Sequence, residues 1–231
     1  MEKEVNEGII LKTTDYKESS KILHIFTKEG KKSVLAKGVK KINNKYRYLA
    51  YPLSKISFLC TNNKLPTFID GDLLVGYNFL KDDLTANLYA NHLLELAYYA
   101  LDSDINTNKL YDFLLKCLNF MNDDNDCEQI SFIFELKLLH LLGVSPNFKS
   151  CIKCNKEELY SFSFPDGAIL CKNHALEKYQ NLDKINHLYY IDLSNDSLLN
   201  LSVEERKNIR KFIDEFYKHH VGITTKSHLF F

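Results

Sequence analysis

Four residues able to ligate a metal stand close together in the chain: Cys151, Cys154, Cys171 and His174. Their order is Cys-x-x-Cys, sixteen residues, then Cys-x-x-His. Two residues between ligands let a tight turn aim both side chains at one ion, and two such turns complete a tetrahedron. Thiolates with an imidazole select zinc over magnesium or calcium. A full set of four leaves no coordination position for a reacting water, so the expected site holds one structural Zn2+. Two alternatives stay open here. The thiols could be unrelated or disulfide-bonded, although persistent disulfides are rare in the cytosol, and His174 could lie exposed beside a three-thiolate site.

Other reactive groupings are absent. The sequence has no phosphate-cradling G-x-x-x-x-G-K-[ST] and no H-E-x-x-H. The His-x-Glu and P-C-x-x-C elements of the zinc deaminases are missing, and His92-x-x-Glu95 has the wrong spacing. No catalytic residue is assigned, and the chain reads as a protein that is not an enzyme. Cys60, Cys117 and Cys127 sit in or near apolar segments without ligand spacing and read as core residues. The His219-His220 pair is expected to cap the C-terminus of the last helix.

The second constellation is cationic. The net charge is zero, but residues 1–80 carry 14 Lys+Arg against 8 Asp+Glu, and residues 81–231 carry 16 against 22. Between Lys28 and Lys55 there are nine basic residues and one acid, Glu29. Lys37, Lys40, Lys41, Lys45 and Arg47 alternate with Tyr46, Tyr48 and Tyr51. Single-strand binders pair a cationic groove along the phosphates with aromatic faces on which bases stack. The competing reading is a solvated loop whose tyrosines pack on the adjoining strands. On that reading the protein is a zinc-containing interaction adaptor that does not touch nucleic acid.

The elements that must position these groups follow from periodicity. Gly8–Lys12, Lys21–Phe26, Ser33–Ala36, Leu53–Cys60 and Thr67–Tyr77 read as five short strands, with a turn at Gly30 and another at Asn62-Asn63-Lys64. Five strands in under 80 residues suggest a small closed barrel, and the five-stranded oligonucleotide-binding (OB) barrel fits. Past Asp82 the period becomes helical. Leu84, Leu88, Leu93, Leu96 and Ala100 share one face of a helix running to about Ser103, and Lys109–Met121 and Asp126–Leu142 follow, with Gly143 as a C′ residue. Tyr160–Phe164, the turn Pro165-Asp166-Gly167 and Ala168–Leu170 read as a hairpin between the two ligand pairs. Ser202-Val203-Glu204-Glu205 is a capping box opening a helix to about His219, with Ile209, Phe212, Ile213, Phe216 and Tyr217 buried. The expected architecture is α+β: a barrel over residues 1–80, then a helical domain over 81–231 with a metal-binding insert at 148–176. No apolar run approaches the roughly 20 residues that span a bilayer. The N-terminus lacks the apolar region of a signal peptide, so a cytoplasmic location is expected.

Several short runs, taken in order, resemble the RecO family of bacterial recombination mediators along nearly the whole chain. They are Gly8-Ile9-Ile10-Leu11, Tyr16-x-Glu18, Phe26-Thr27-Lys28-Glu29-Gly30, Ala36-Lys37-Gly38, Leu141-x-Gly143-x-x-Pro146 and Lys226-Ser227. His174 departs from the family, in which many members carry a fourth cysteine. The resemblance implies an N-terminal OB-fold barrel, a helical C-terminal domain and a zinc-binding insert. It implies binding of single- and double-stranded DNA, annealing of complementary strands, and loading of RecA together with RecR. It also implies contact with the acidic C-terminal tail of single-strand-binding protein. For that tail, Arg206, Lys207 and Arg210 are the expected cationic rim of an apolar pocket, with Lys116 and Lys137 as further candidates.

Overall fold

In the computed structural model, the described residues are 3–123, 125–194 and 197–222. Lys226-Ser227 lies outside them. The N-terminal strands are β1 (Lys3–Tyr16), β2 (Ser20–Thr27), β3 (Gly30–Ala36), β4 (Lys55–Thr61) and β5 (Phe68–Val75). All neighbours pair antiparallel in the order β3-β2-β1-β4-β5. The sheet curls shut where the Leu35 N–H donates to the Pro66 carbonyl at 2.8 Å and Leu35 bridges Thr67 in parallel. This is the expected OB-type barrel.

Alternation builds its interior. Ile56, Phe58 and Cys60 of β4 point inward with the residues between them half-buried, and they pack with Ile10, Leu23, Ile25 and Val34. At Gly8 the neighbouring strand comes so near that a Cβ would sit 2.5 Å from the Phe26 carbonyl, so only glycine fits. The β2–β3 turn requires φ of 121° at Gly30, again a glycine conformation.

Three helices complete this half: α1 (Asn78–Asp82), α2 (Leu84–Ala100) and α3 (Thr107–Asn122). Asp83 caps α2 by accepting the Ala86 N–H at 2.7 Å, and Asn106 caps α3 by accepting that of Lys109 at 3.0 Å. The α2 stripe is buried at Leu93, Leu96 and Ala100, but Leu84 is 77% exposed. Leu84 is the first helical residue beside the cap, before the stripe turns onto the protein.

The remaining elements are α4 (Cys127–Leu141), β6 (Ser161–Ser163), β7 (Ala168–Leu170), α5 (Leu182–Tyr190) and α6 (Val203–His220). Helix α4 is buried nearly all round, which fits its richness in Ile, Phe and Leu. The capping box of α6 forms in full, and its five expected apolar residues are buried. Helix α5 is not among the helices expected from periodicity. By packing, the chain parts into two compact units between Cys127 and Glu128. The change from strands to helices comes earlier, after β5, so α1–α3 share a unit with the barrel.

Candidate metal centre and nucleic-acid surface

The Cys151–Cys154 and Cys171–His174 pairs sit on similar turns. In the first, the Asn155 N–H donates to the Cys151 carbonyl at 2.8 Å, with Asn155 at φ 59°. In the second, the N–H groups of His174 and Ala175 donate to the Cys171 carbonyl at 3.0 and 3.1 Å. The intervening chain returns as the expected hairpin, Phe162 of β6 opposite Ile169 of β7, turning at Gly167. The ligand atoms of Cys151, Cys154, Cys171 and His174 then all lie within 4.8 Å of one another.

The spacings test whether one ion fits. A tetrahedral ion with bonds of about 2.3 Å to sulfur and 2.05 Å to nitrogen requires S···S edges of about 3.8 Å and S···N edges of about 3.6 Å. Cys154 and Cys171 Sγ are 3.7 Å apart, and His174 Nδ1 lies 3.6 and 3.3 Å from the sulfurs of Cys151 and Cys171. His174 thus joins the cluster through Nδ1 and does not merely lie beside it. Burial pushes the Cys151 thiol up, but the N–H groups of Cys171, Lys153 and Cys154 and the His174 ring outweigh it and bring it down to about 6. For Cys154 the Lys156 N–H pulls down, while burial and the neighbouring thiols prevail and push it up. Like charges so close resist collecting, so holding all three sulfurs as thiolates calls for a cation among them. The four residues can therefore hold a metal ion.

That quartet anchors a hydrophobic joint. Phe162 lies 4.8 Å and Phe164 5.3 Å, ring centre to ring centre, from Phe212 of α6, and Phe148 is 5.9 Å from it. The ring of His220 reaches the Phe164 carbonyl at 2.6 Å, and His219 lies 3.2 Å from Glu215. The histidine pair stands in the last turn of α6, as expected, but its rings serve the hairpin and the helix flank.

The cationic segment between β3 and β4 is a chain of hydrogen-bonded turns. The Lys41 N–H donates to the Gly38 carbonyl, Asn44 to Lys41, and Arg47 to Asn44, leading into a 3-10 turn at Arg47–Leu49. It is tied to the β1–β2 turn by the Lys40 N–H on the Ser19 carbonyl and the Gly38 N–H on Ser20 Oγ. Lys37, Lys41, Lys45, Arg47, Tyr48 and Tyr51 are exposed. Lys40 instead pairs with Asp15 at 2.6 Å, and the hydrogen bond from its ammonium holds the Asp15 carboxyl below the usual range. Tyr46 stacks edge-on against Phe68 at 5.0 Å and donates its hydroxyl to Asp70 at 2.6 Å, so its ring belongs to the barrel wall. Lys45 lies 4.5 Å over that ring. Lys21 of β2 borders the same surface, its ammonium 4.8 Å over the Tyr51 ring and donating to the Ala50 carbonyl at 3.2 Å. It belongs to another strand, and only the fold brings it near.

The three cations expected on α6 are divided by the fold. Arg206 pairs with Glu128 at 2.8 Å, and Arg210 grips Glu135 with two bonds of 2.8 and 2.9 Å while lying 3.5 Å from Asp214. Lys207 is exposed. Lys137 donates to the Tyr189 carbonyl at 3.1 Å. Among the described residues no helix is long and apolar enough to cross a membrane.

Comparison with known proteins agrees with this architecture. The family description "Recombination protein O N terminal" matches residues 1–77, and "Recombination protein O C terminal" matches residues 81–229. The DNA repair protein RecO of Exiguobacterium sibiricum is 29% identical, over 96% of this chain and 93% of that protein. The proteins of the same name from Bacillus cytotoxicus and Bacillus subtilis are 31% and 29% identical over 97% of this chain, covering 94% and 92% of their own lengths. With both halves matched in order over nearly the whole length, the chain belongs to the recombination protein O (RecO) family.

Proposed function

We propose that this protein is a DNA repair and recombination mediator that binds single- and double-stranded DNA and anneals complementary strands. It would then help RecR load RecA onto DNA covered by single-strand-binding protein. The observation that carries the DNA-binding part is the folded cationic segment. Among the described residues Lys37, Lys41 and Arg47 have no carboxylate partner, and they stand with the exposed rings of Tyr48 and Tyr51. Phosphates meet the cations and unstacked bases meet the rings, without sequence preference. Lys40 and Tyr46 act behind them, Lys40 through Asp15 and Tyr46 by packing on the barrel.

The metal fits as zinc by ligand type, three sulfurs and an imidazole nitrogen. With four protein ligands it would supply a cross-link, and this chain's residues do the rest. Cys151 and Cys171 are buried and fix the hairpin that delivers Phe162 and Phe164 to α6. No step of the proposed function passes through the metal. The acidic tail of single-strand-binding protein would be met in the C-terminal unit, where Lys207 is the exposed one of the three α6 cations expected to meet it.

The test is strand annealing. The protein should accelerate pairing of complementary oligonucleotides, and replacing Lys37, Lys41 and Arg47 together by Ala should abolish the acceleration in a variant that melts like the parent. Full annealing by that folded variant would move the nucleic-acid surface elsewhere. No annealing and no DNA binding by the parent would favour the adaptor reading.

A further inference from the structure

Five-stranded OB barrels commonly meet oligonucleotides on the outer face of their second and third strands. In this protein that face carries the chain's own helices. His24 of β2 meets Tyr98 of α2 edge-on at 5.6 Å, and Phe26 meets Tyr111 of α3 at 5.2 Å. Lys12, His24 and Ser33 form one cross-strand row, with the His24 ring nitrogens 3.1 Å from Thr14 Oγ1 and from Ser33 Oγ. Above that row the ammonium groups of Lys31 and Lys12 lie 4.2 and 5.3 Å from the centre of the Tyr98 ring. Lys31 also donates to Asp102 at 2.5 Å, and Lys28 lies 3.4 Å from Asp112. A ring on the sheet with an anion on the neighbouring lysine reproduces what a stacked nucleotide would bring.

The place of Asp102 in the sequence sharpens the point. It lies just past the C-terminal end of α2, where the helix dipole disfavours a carboxylate and a cation would serve better. Its partner Lys31 offers the compensation that the helix does not. The pair is asymmetric, with the lysine side chain 22% exposed and the carboxylate 63% exposed. So open an ion pair is weak, and a phosphate could replace the carboxylate without unpacking α2.

We propose that the β2–β3 hairpin holds a second, internally capped site for a nucleic-acid phosphate, in which Asp102 occupies Lys31 until a bound strand displaces it. The proposal rests on the reading that the barrel binds nucleic acid. Lys28 and Asp112 form a second, more open pair near the same turn, at 3.4 Å.

The experiment titrates the full-length protein with oligothymidylate, by fluorescence anisotropy at several salt concentrations. Asp102→Asn frees one lysine while keeping the side chain's shape. One added phosphate contact should steepen the plot of log affinity against log salt by about 0.7, a gain of about fivefold at 0.1 M salt. Lys31→Ala should change parental binding less than twofold but abolish the gain in the Asp102→Asn background. Unchanged affinity in Asp102→Asn overturns the cap while leaving the barrel reading intact. A gain that survives Lys31→Ala, or a parental protein as sensitive to Lys31→Ala as the variant, overturns it too. If neither protein binds the oligonucleotide, both readings fall together.

Discussion

Replacing Arg210 by Ala is expected to be among the most damaging single changes in the C-terminal unit. Its side chain is 13% exposed and that of Glu135 is 3% exposed. The guanidinium makes two bonds to the carboxylate and lies 4.9 Å from the centre of the Phe132 ring. Tyr217 secures the same turn of α4 by donating its hydroxyl to the Glu135 carbonyl at 2.9 Å. Without Arg210 the buried carboxylate loses both guanidinium bonds, and the nearby Asp214 adds a like charge. Breaking one partner out of a buried pair costs about 3–5 kcal/mol. For a unit of this size that lowers the melting temperature by roughly 12 °C or more. Removing both charges with Arg210→Met and Glu135→Leu should recover most of the loss, since apolar replacements of a buried pair are often nearly neutral. Urea titrations followed by circular dichroism, with amide exchange at α4 and α6, would read the effect. A loss below about 1 kcal/mol, or a double variant no better than the single one, would refute the reasoning. The same number bears on function, because a partner interaction lost with Arg210 would report a collapsed helix pair.

Three further outcomes follow from the geometry. Purified protein should hold about one zinc per chain, and Cys154→Ser or a strong chelator should release it and lower the melting temperature, since structural zinc contributes on the order of 10 kcal/mol in model peptides; unchanged melting after complete chelation would count against the cross-link. Glu205 is held down to about 2 by Lys184 and the Ser202 N–H, against an ordinary 4.5, so the unfolded chain takes up its proton first. The stability this lends is complete above about pH 4.5 and fades as pH falls towards 2, so Glu205→Gln should be least stable relative to the parent at neutral pH and converge with it in acid. Tyr48→Ala should weaken single-strand binding by about 1–3 kcal/mol, the value of one stacked base, whereas Tyr46→Phe should leave binding intact; equal losses from the two in an oligonucleotide titration would contradict the roles assigned to them.

What could be read from the sequence was local. The metal quartet was legible because ligand type and a two-residue gap carry nearly all the information that such a site needs. The Ser202 capping box and the β6–β7 hairpin were legible for the same reason, each being complete within a few residues. The barrel followed from alternation and turn residues, and its closure through Leu35 and Thr67 agreed. What escaped was set by distant partners. Arg206 and Arg210 look like surface cations on an amphipathic helix, and only the packing of α4 supplies Glu128 and Glu135. Tyr46 and Tyr48 are two residues apart and alike in sequence, yet one packs on Phe68 and the other faces solvent. Helix α5 follows Asn181, which stands at φ 58°, and runs only nine residues, too short for its periodicity to stand out. Leu84 fitted the helical stripe by spacing and was excluded by its place in the first turn.

The central claim is that nucleic acid binds along the segment from Lys37 to Tyr51, and the most direct measurement is the salt dependence of that binding. Each phosphate contact contributes about 0.7 to the slope of log affinity against log salt on a single strand and about 0.9 on a duplex. With Lys37, Lys41 and Arg47 each meeting one phosphate, the parent should exceed the folded triple-alanine variant in slope by roughly 2 on oligothymidylate and roughly 3 on duplex. Parallel lines for the two proteins, or binding by the parent that does not respond to salt, would contradict the account.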